Sequence, residues 1–182
     1  MEDKIITMKN FVFHESAGGY LFSEDKGKLY VALLEKNDGK YFIPKGHIKS
    51  NEIPEEAALR EIKEELSLEE SPTKVAKVGT IKYSFGQPDN REHVKEVPIY
   101  VYSVPSRVRI KPLGEEDYIN AEWFEIDEAL RKLEYEKNTF REAVSLYKSY
   151  KVLISHIDRI KNSFKSKLGG NLLAIMYGIL FV

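Results

Sequence analysis

The chain has 182 residues, 42% of them hydrophobic and 31% charged, with 28 Lys and Arg set against 29 Asp and Glu. That length suits one domain with a substantial core rather than two full domains, and the near-neutral balance does not call for a nucleic acid as partner, while leaving room for the few local cations a phosphate substrate needs. Cysteine is absent, which excludes disulfides, thiolate metal sites and thiol nucleophiles, so any metal has to be held by oxygen or imidazole.

Residues 1–15 hold no continuous apolar stretch of signal-peptide type, and no run reaches the ~18 apolar residues of a spanning helix, so a cytoplasmic location is expected. From Lys4 to Phe22 the alternation predicts strand, turn, strand, with the turn at Gly18-Gly19. A second β-rich run covers Lys28 to Asn37, and Asp38-Gly39-Lys40 signals a hairpin into Tyr41-Phe42-Ile43, which Pro44 stops. A helix is predicted over Glu52 to Leu66, capped by Asn51 with Pro54 in its first turn. Strands follow over Lys74 to Gly86 and Lys95 to Ser106, then a short strand passing into a helix over Ala121 to Leu133. Apolar residues at helical spacing from Thr139 to Leu168 predict a long amphipathic helix, continuous or broken. This order predicts an α/β (α+β) sandwich with a mixed sheet between helices. The expected division is a domain over residues 1–150, followed at 151–182 by the continuation of the last helix and an apolar tail, NLLAIMYGILFV. Twelve residues are too few to span a bilayer, so the tail is expected to dock on its own domain, to join two copies in a homodimer, or to meet a membrane surface.

On the helix, Glu61, Glu64 and Glu65 fall within an arc of about 100°, while Ala58, Leu59, Ile62 and Leu66 occupy a separate one. Like charges at these spacings repel by a few tenths of a kcal/mol per pair, roughly, and a hard divalent cation reverses that sign. Read from Gly46, the spacing is five residues to Glu52, seven to Arg60-Glu61-Ile62, one to Glu64-Glu65, then Ser67 and Leu68. This resembles the box of the Nudix hydrolase superfamily, G-x5-E-x7-R-E-U-x-E-E-x-G-U, at eight of nine defined positions. The departure is Ser67 where the family has glycine, a position past the helix end that favours a left-handed backbone.

The resemblance implies an α/β/α Nudix sandwich and hydrolysis of nucleoside diphosphates linked to another moiety, with Mg²⁺ or Mn²⁺ as cofactor. Metal ligands would be Glu61, Glu64, Glu65 and the main-chain carbonyl of Gly46. Arg60 would orient the glutamates, Glu52 would support loop and helix, and Glu61 or Glu65 would deprotonate or orient the attacking water. A further acid could come from Glu96, Glu115 or Glu116. The entry Tyr41-Phe42-Ile43-Pro44-Lys45-Gly46-His47 and the strand Ser16 to Phe22 resemble the diadenosine tetraphosphate hydrolase and diphosphoinositol polyphosphate phosphohydrolase branches. In that reading Lys45 and His47 meet the phosphates, Lys95 faces the substrate, and a base stacks on Tyr83, Phe85, Tyr100 or Tyr135, while Trp123 packs. The expected partner is a small nucleotide polyphosphate, and the expected reaction is cleavage of diadenosine tetraphosphate to ATP and AMP. Other Nudix pyrophosphohydrolases, acting on nucleoside triphosphates, RNA 5′ ends or diphosphoinositol phosphates, remain open, as does a non-catalytic nucleotide-binding module.

Overall fold

The computed structural model describes residues 5–8, 10–114 and 118–168. Eight strands and three helices follow in the order β1 (Ile5–Met8), β2 (Phe11–Asp25), β3 (Lys28–Lys36), β4 (Tyr41–Phe42), β5 (Lys45–His47), α1 (Pro54–Glu65), β6 (Thr73–Gly86), β7 (Glu92–Val104), β8 (Tyr118–Glu125), α2 (Ile126–Lys132) and α3 (Lys137–Leu168). The strands form one mixed sheet whose spine is β2. One edge of β2 takes β1, β5 and β3 in succession, all antiparallel, and the other edge takes β7 in parallel from Phe11 to Ser23. Beyond β7 lies β6, and beyond β3 lie β4 and β8, so the mixed α+β architecture is as expected.

The Gly18-Gly19 pair is not a turn. It lies inside β2, and the chain reverses instead at Lys26-Gly27, both at positive φ (50° and 75°), before β3. The two glycines are needed because neighbours approach closely. A Cβ on Gly18 would stand 2.4 Å from Lys45 Cβ and from the Pro44 carbonyl oxygen, and one on Gly19 would stand 2.4 Å from the Tyr100 carbonyl oxygen. The missing side chain lets the short β5 press against β2 at Gly18 and lets β7 do so at Gly19.

Helix α1 packs on one face of the sheet, where Ala57, Ala58, Ile62 and Leu66 join Ala17, Leu21, Ala32, Leu34, Tyr100 and Tyr102 in the core. On the opposite face the Phe140 ring of α3 meets Tyr20 (5.4 Å) and Phe22 (6.3 Å). Layers on both faces make the α/β/α arrangement. Contacts divide the chain inside α3, one compact unit ending at Leu146 and the next beginning at Tyr147. In the second unit Val152, Leu153, Ile160 and Phe164 are exposed. The apolar tail lies outside the described residues, as do Glu115 and Glu116. Among the described residues no helix is long and apolar enough to cross a membrane.

The N-cap of α1 is Ile53, not Asn51, because Pro54 at the first helical position forces the preceding residue into extended backbone (ψ 155°). The Ile53 N–H donates to the Glu56 carboxylate at 3.2 Å, which satisfies one donor without a capping hydroxyl or amide. At the other end Ser67 is left-handed (φ 50°), its N–H donates to the Glu64 carbonyl (3.0 Å), and the Leu68 N–H donates to the Lys63 carbonyl (2.8 Å). This is the Schellman stop that usually takes glycine. Ser67→Gly is therefore expected to raise stability by about 1 kcal/mol in urea denaturation. Unchanged or lower stability would show that the serine carries a compensating contact.

Candidate active site

The site grows from the junction of α1 with β5. Arg60 donates from Nε and Nη2 to the two oxygens of Glu52 (2.8 Å each), from Nη1 to Glu61 (2.6 Å) and Glu64 (3.1 Å), and from Nη2 to the His47 carbonyl (2.8 Å). One guanidinium thus ties the loop before α1 to its acidic side, a geometry that only a planar fork of five donors can supply. The Arg60 charge is strengthened chiefly by its bonds to Glu52, with Glu61 and Glu64 adding to it. Glu52 is held below the usual carboxylate range by Arg60 and by the Lys49 main-chain N–H (3.1 Å), against an opposing desolvation.

Glu61 and Glu65 are buried, at 8% and 1% exposure, whereas the Glu64 side chain is 48% exposed. Glu65 accepts the Lys45 main-chain N–H at 2.9 Å. The Glu61 carboxylate lies against Gly46 so tightly that a Cβ there would come within 2.2–2.3 Å of its carbon and oxygens. Glycine at 46 is required because the carboxylate occupies that volume. Among the described residues no three acidic or imidazole groups stand together as a formed metal-ligand set. The glutamates are instead splayed, Glu61 and Glu64 converging on Arg60 and Glu65 running under β5.

Strand alternation sorts the remaining site residues. Lys45 and His47 sit on either side of Gly46 and so point to the face opposite α1. Register places Gly18 beside Lys45, Ser16 beside His47, His14 beside Lys95, and Tyr83 beside Lys95. Lys45, His47, Lys95 and Tyr83 therefore share one face, with Lys45 Nζ 5.1 Å above the Phe42 ring. Tyr83 is 39% exposed there and Tyr135 is 57% exposed, ahead of α3. Tyr100 is not available for stacking, since it is buried in the core under α1. Trp123 is a packing residue, its indole N–H donating to the Val108 carbonyl at 2.9 Å. Glu96 forms an exposed ion pair with Lys82 at 3.0 Å.

Two features escape the sequence. Glu136 precedes α3 in a left-handed conformation (φ 67°), and its carbonyl accepts the Phe140 N–H at 2.8 Å. Burial pushes its carboxyl up, with Lys45 opposing, so an acid outside the box stands near Lys45. In sequence the segment Leu133-Glu134-Tyr135-Glu136 offers only Tyr135 as a candidate, because nothing local shows that Glu136 is buried. The second feature is a row of imidazoles, His14, His47 and His93, with ring centroids 5.0 Å apart for His14 and His93 and 5.9 Å for His14 and His47.

A NUDIX domain family model matches residues 12–145, most of the chain. The chain belongs to the Nudix family. An uncharacterised Nudix hydrolase of Clostridium acetobutylicum is 35% identical over 91 residues, which are 49% of this chain and 42% of that protein, so the match spans less than half the length of the curated relative. Among solved structures, a binary complex of Caenorhabditis elegans Ap4A hydrolase superposes with a TM-score of 0.60 at 19% identity, over 75% of this chain and 98% of that one. The Escherichia coli dihydroneopterin triphosphate pyrophosphohydrolase gives 0.56 at 15% identity, over 70% and 92%. The NUDIX domain of Shewanella oneidensis NrtR, complexed with ADP ribose, gives 0.52 at 16% identity, over 72% and 86%. These likenesses are of fold. Nudix enzymes in general use divalent metals such as Mg²⁺ or Mn²⁺.

Proposed function

We propose that the chain hydrolyses a phosphoanhydride bond of a nucleotide substrate with a divalent metal, and that the substrate is diadenosine tetraphosphate, cut asymmetrically to ATP and AMP. The observation that carries this reading is the Arg60 clamp, which gathers Glu52, Glu61 and Glu64 beside Gly46 and so holds acidic oxygens together at one end of the helix. The residues fit Mg²⁺ or Mn²⁺, because the donors are oxygens alone and Gly46 leaves open the volume in which Glu61 rests. Glu61, Glu64, Glu65 and the Gly46 carbonyl would hold the ion. When bound, it neutralises phosphate oxygens and lowers the pKa of water.

The chain's own groups supply the rest. Arg60 and Glu52 fix the helix against β5 and set the direction of Glu61. Glu61 or Glu65 orients the attacking water and accepts its proton. Lys45 and Lys95 supply cations and His47 a hydrogen-bonding imidazole on one face, for a phosphate chain longer than a diphosphate, which favours a dinucleoside polyphosphate. Tyr83, Phe85 and Tyr135 offer exposed or half-exposed rings for an adenine. Partners other than small nucleotides are not required by this surface.

The test is hydrolysis, with Mg²⁺, with Mn²⁺ and after chelation, of diadenosine tetraphosphate, ADP-ribose, nucleoside triphosphates, a diphosphoinositol phosphate and triphosphorylated RNA. The expected result is metal-dependent release of ATP and AMP from the first. Metal-dependent cleavage of another member alone would replace the substrate, and silence across the panel by folded protein would overturn the enzymatic reading.

A further inference from the structure

His14 lies on β2 and His93 on β7, brought together by the parallel pairing of those strands, and their Nε2 and Nδ1 atoms are 2.7 Å apart. His93 is buried, and its other nitrogen, Nε2, is 3.1 Å from each oxygen of Asp89. Two Arg91 contacts, the main-chain N–H at 3.1 Å and the guanidinium at 2.7 Å, also hold Asp89. Although desolvation opposes ionisation, the Arg91 N–H, His93 and the Arg91 side chain keep the Asp89 carboxyl at about 2, so it only accepts hydrogen bonds. His93 must then donate from Nε2, and in its neutral form accepts at Nδ1 from the His14 Nε2–H. Asp89, His93 and His14 form a chain of defined direction that leaves His14 Nδ1 as the position for a further proton.

Such a chain suits neither a metal nor a mere strand clamp. The two imidazole nitrogens touch each other, so no ion fits between them. His14 is half-buried rather than sealed, and it stands beside His47 on β5, beside Lys95 on β7 and against the Phe85 ring of β6 (5.6 Å). Of these, His47 and Lys95 are groups that the proposed function places along the phosphates. Without an anion, burial first, then His93, His47 and Lys95, push the His14 imidazole down, toward the neutral form. A polyanion laid between Lys95 and His47 reverses the coulombic part of that effect.

We propose that His14 is a binding residue for the phosphate chain of the substrate, positioned by His93 and Asp89, and that it takes up a proton as the anion binds. This rests on the polyphosphate reading above. It adds a cation that exists only when the site is filled, so affinity falls as pH rises through the His14 titration of the complex.

Inorganic tripolyphosphate titrated calorimetrically into the full chain near neutral pH, in buffers of different ionisation enthalpy, counts the protons. Comparison with His14→Gln cancels those exchanged by the tripolyphosphate itself. The variant is expected to take up fewer protons, by up to one per site, and to bind about tenfold more weakly, the usual scale for losing a charged hydrogen bond. Asp89→Asn keeps the His14 ring and loses part of the uptake, and it provides the test if His14→Gln does not fold. Equal uptake in wild type and both variants overturns the proposal, including when affinity alone is lost, because that marks a structural role. If wild type fails to bind tripolyphosphate, the polyphosphate reading falls with it. If the substrate panel is hydrolysed while uptake stays equal, only the role of His14 falls.

Discussion

Glu64→Gln is expected to lower turnover by about a hundredfold or more while leaving stability within about 0.5 kcal/mol of the parent chain. The side chain is 48% exposed and lies away from the buried Ala58 and Ile62, so an isosteric amide disturbs neither helix nor core. Its carboxylate and that of Glu61 both reach Arg60 Nη1, at 3.1 and 2.6 Å, which shows that the two acids can converge on one cation. Glutamine keeps the shape and removes the charge. Glu65→Gln is a less clean test, since Glu65 is 1% exposed and accepts the Lys45 N–H, so changed packing and changed chemistry would coincide. The measurement is kcat with saturating Mg²⁺, set beside thermal unfolding of the same preparation. Turnover within a few fold of the parent at equal stability would remove Glu64 from the metal site.

Much of this site is legible in the chain because its informative residues are local. The Gly46 to Leu68 segment is contiguous, its spacing reports which side chains share a helix face, and the buried face of α1 contains the predicted Ala58, Ile62 and Leu66. Helical periodicity gives a direction from the axis but not what lies across from it. Glu65 therefore reads as another member of a surface cluster, although β5 draws it into the interior to satisfy Lys45 N–H. The same limit misplaces the turn at Gly18-Gly19. Glycine pairs mark both reversals and close backbone approaches, and only the position of Pro44 and Tyr100 decides between them. The imidazole chain is illegible for a stronger reason. His14 and His93 are separated by 79 positions and meet through a parallel register that no short-range pattern encodes.

Arg60→Ala should cost about 2–3 kcal/mol, because it strands Glu52 and Glu61, whose side chains are only 13% and 10% exposed, without the cation they were folded around. The figure lies below the roughly 3–5 kcal/mol of a fully buried pair, since Arg60 itself retains 18% exposure and Glu64 is well solvated. Arg60→Lys restores the charge but not the fork. A single ammonium cannot span both oxygens of Glu52 while reaching Glu61 and the His47 carbonyl, so most of the loss should persist and turnover should fall with it. Acid provides the sharper test. Glu52 ionises below its ordinary value of 4.5 mainly because Arg60 bonds it, so the stability it contributes is present above about pH 4.5 and disappears as pH falls through the lower, folded value. Without Arg60, burial opposes ionisation of Glu52 with only the Lys49 main-chain N–H still favouring it, so most of that contribution is lost. Urea denaturation of the parent and of Arg60→Ala should accordingly converge on acidification from pH 7, the gap narrowing once Glu52 protonates. A gap that stays constant down through that range would mean that Arg60 stabilises the fold by packing of its stem rather than by holding charged carboxylates in place.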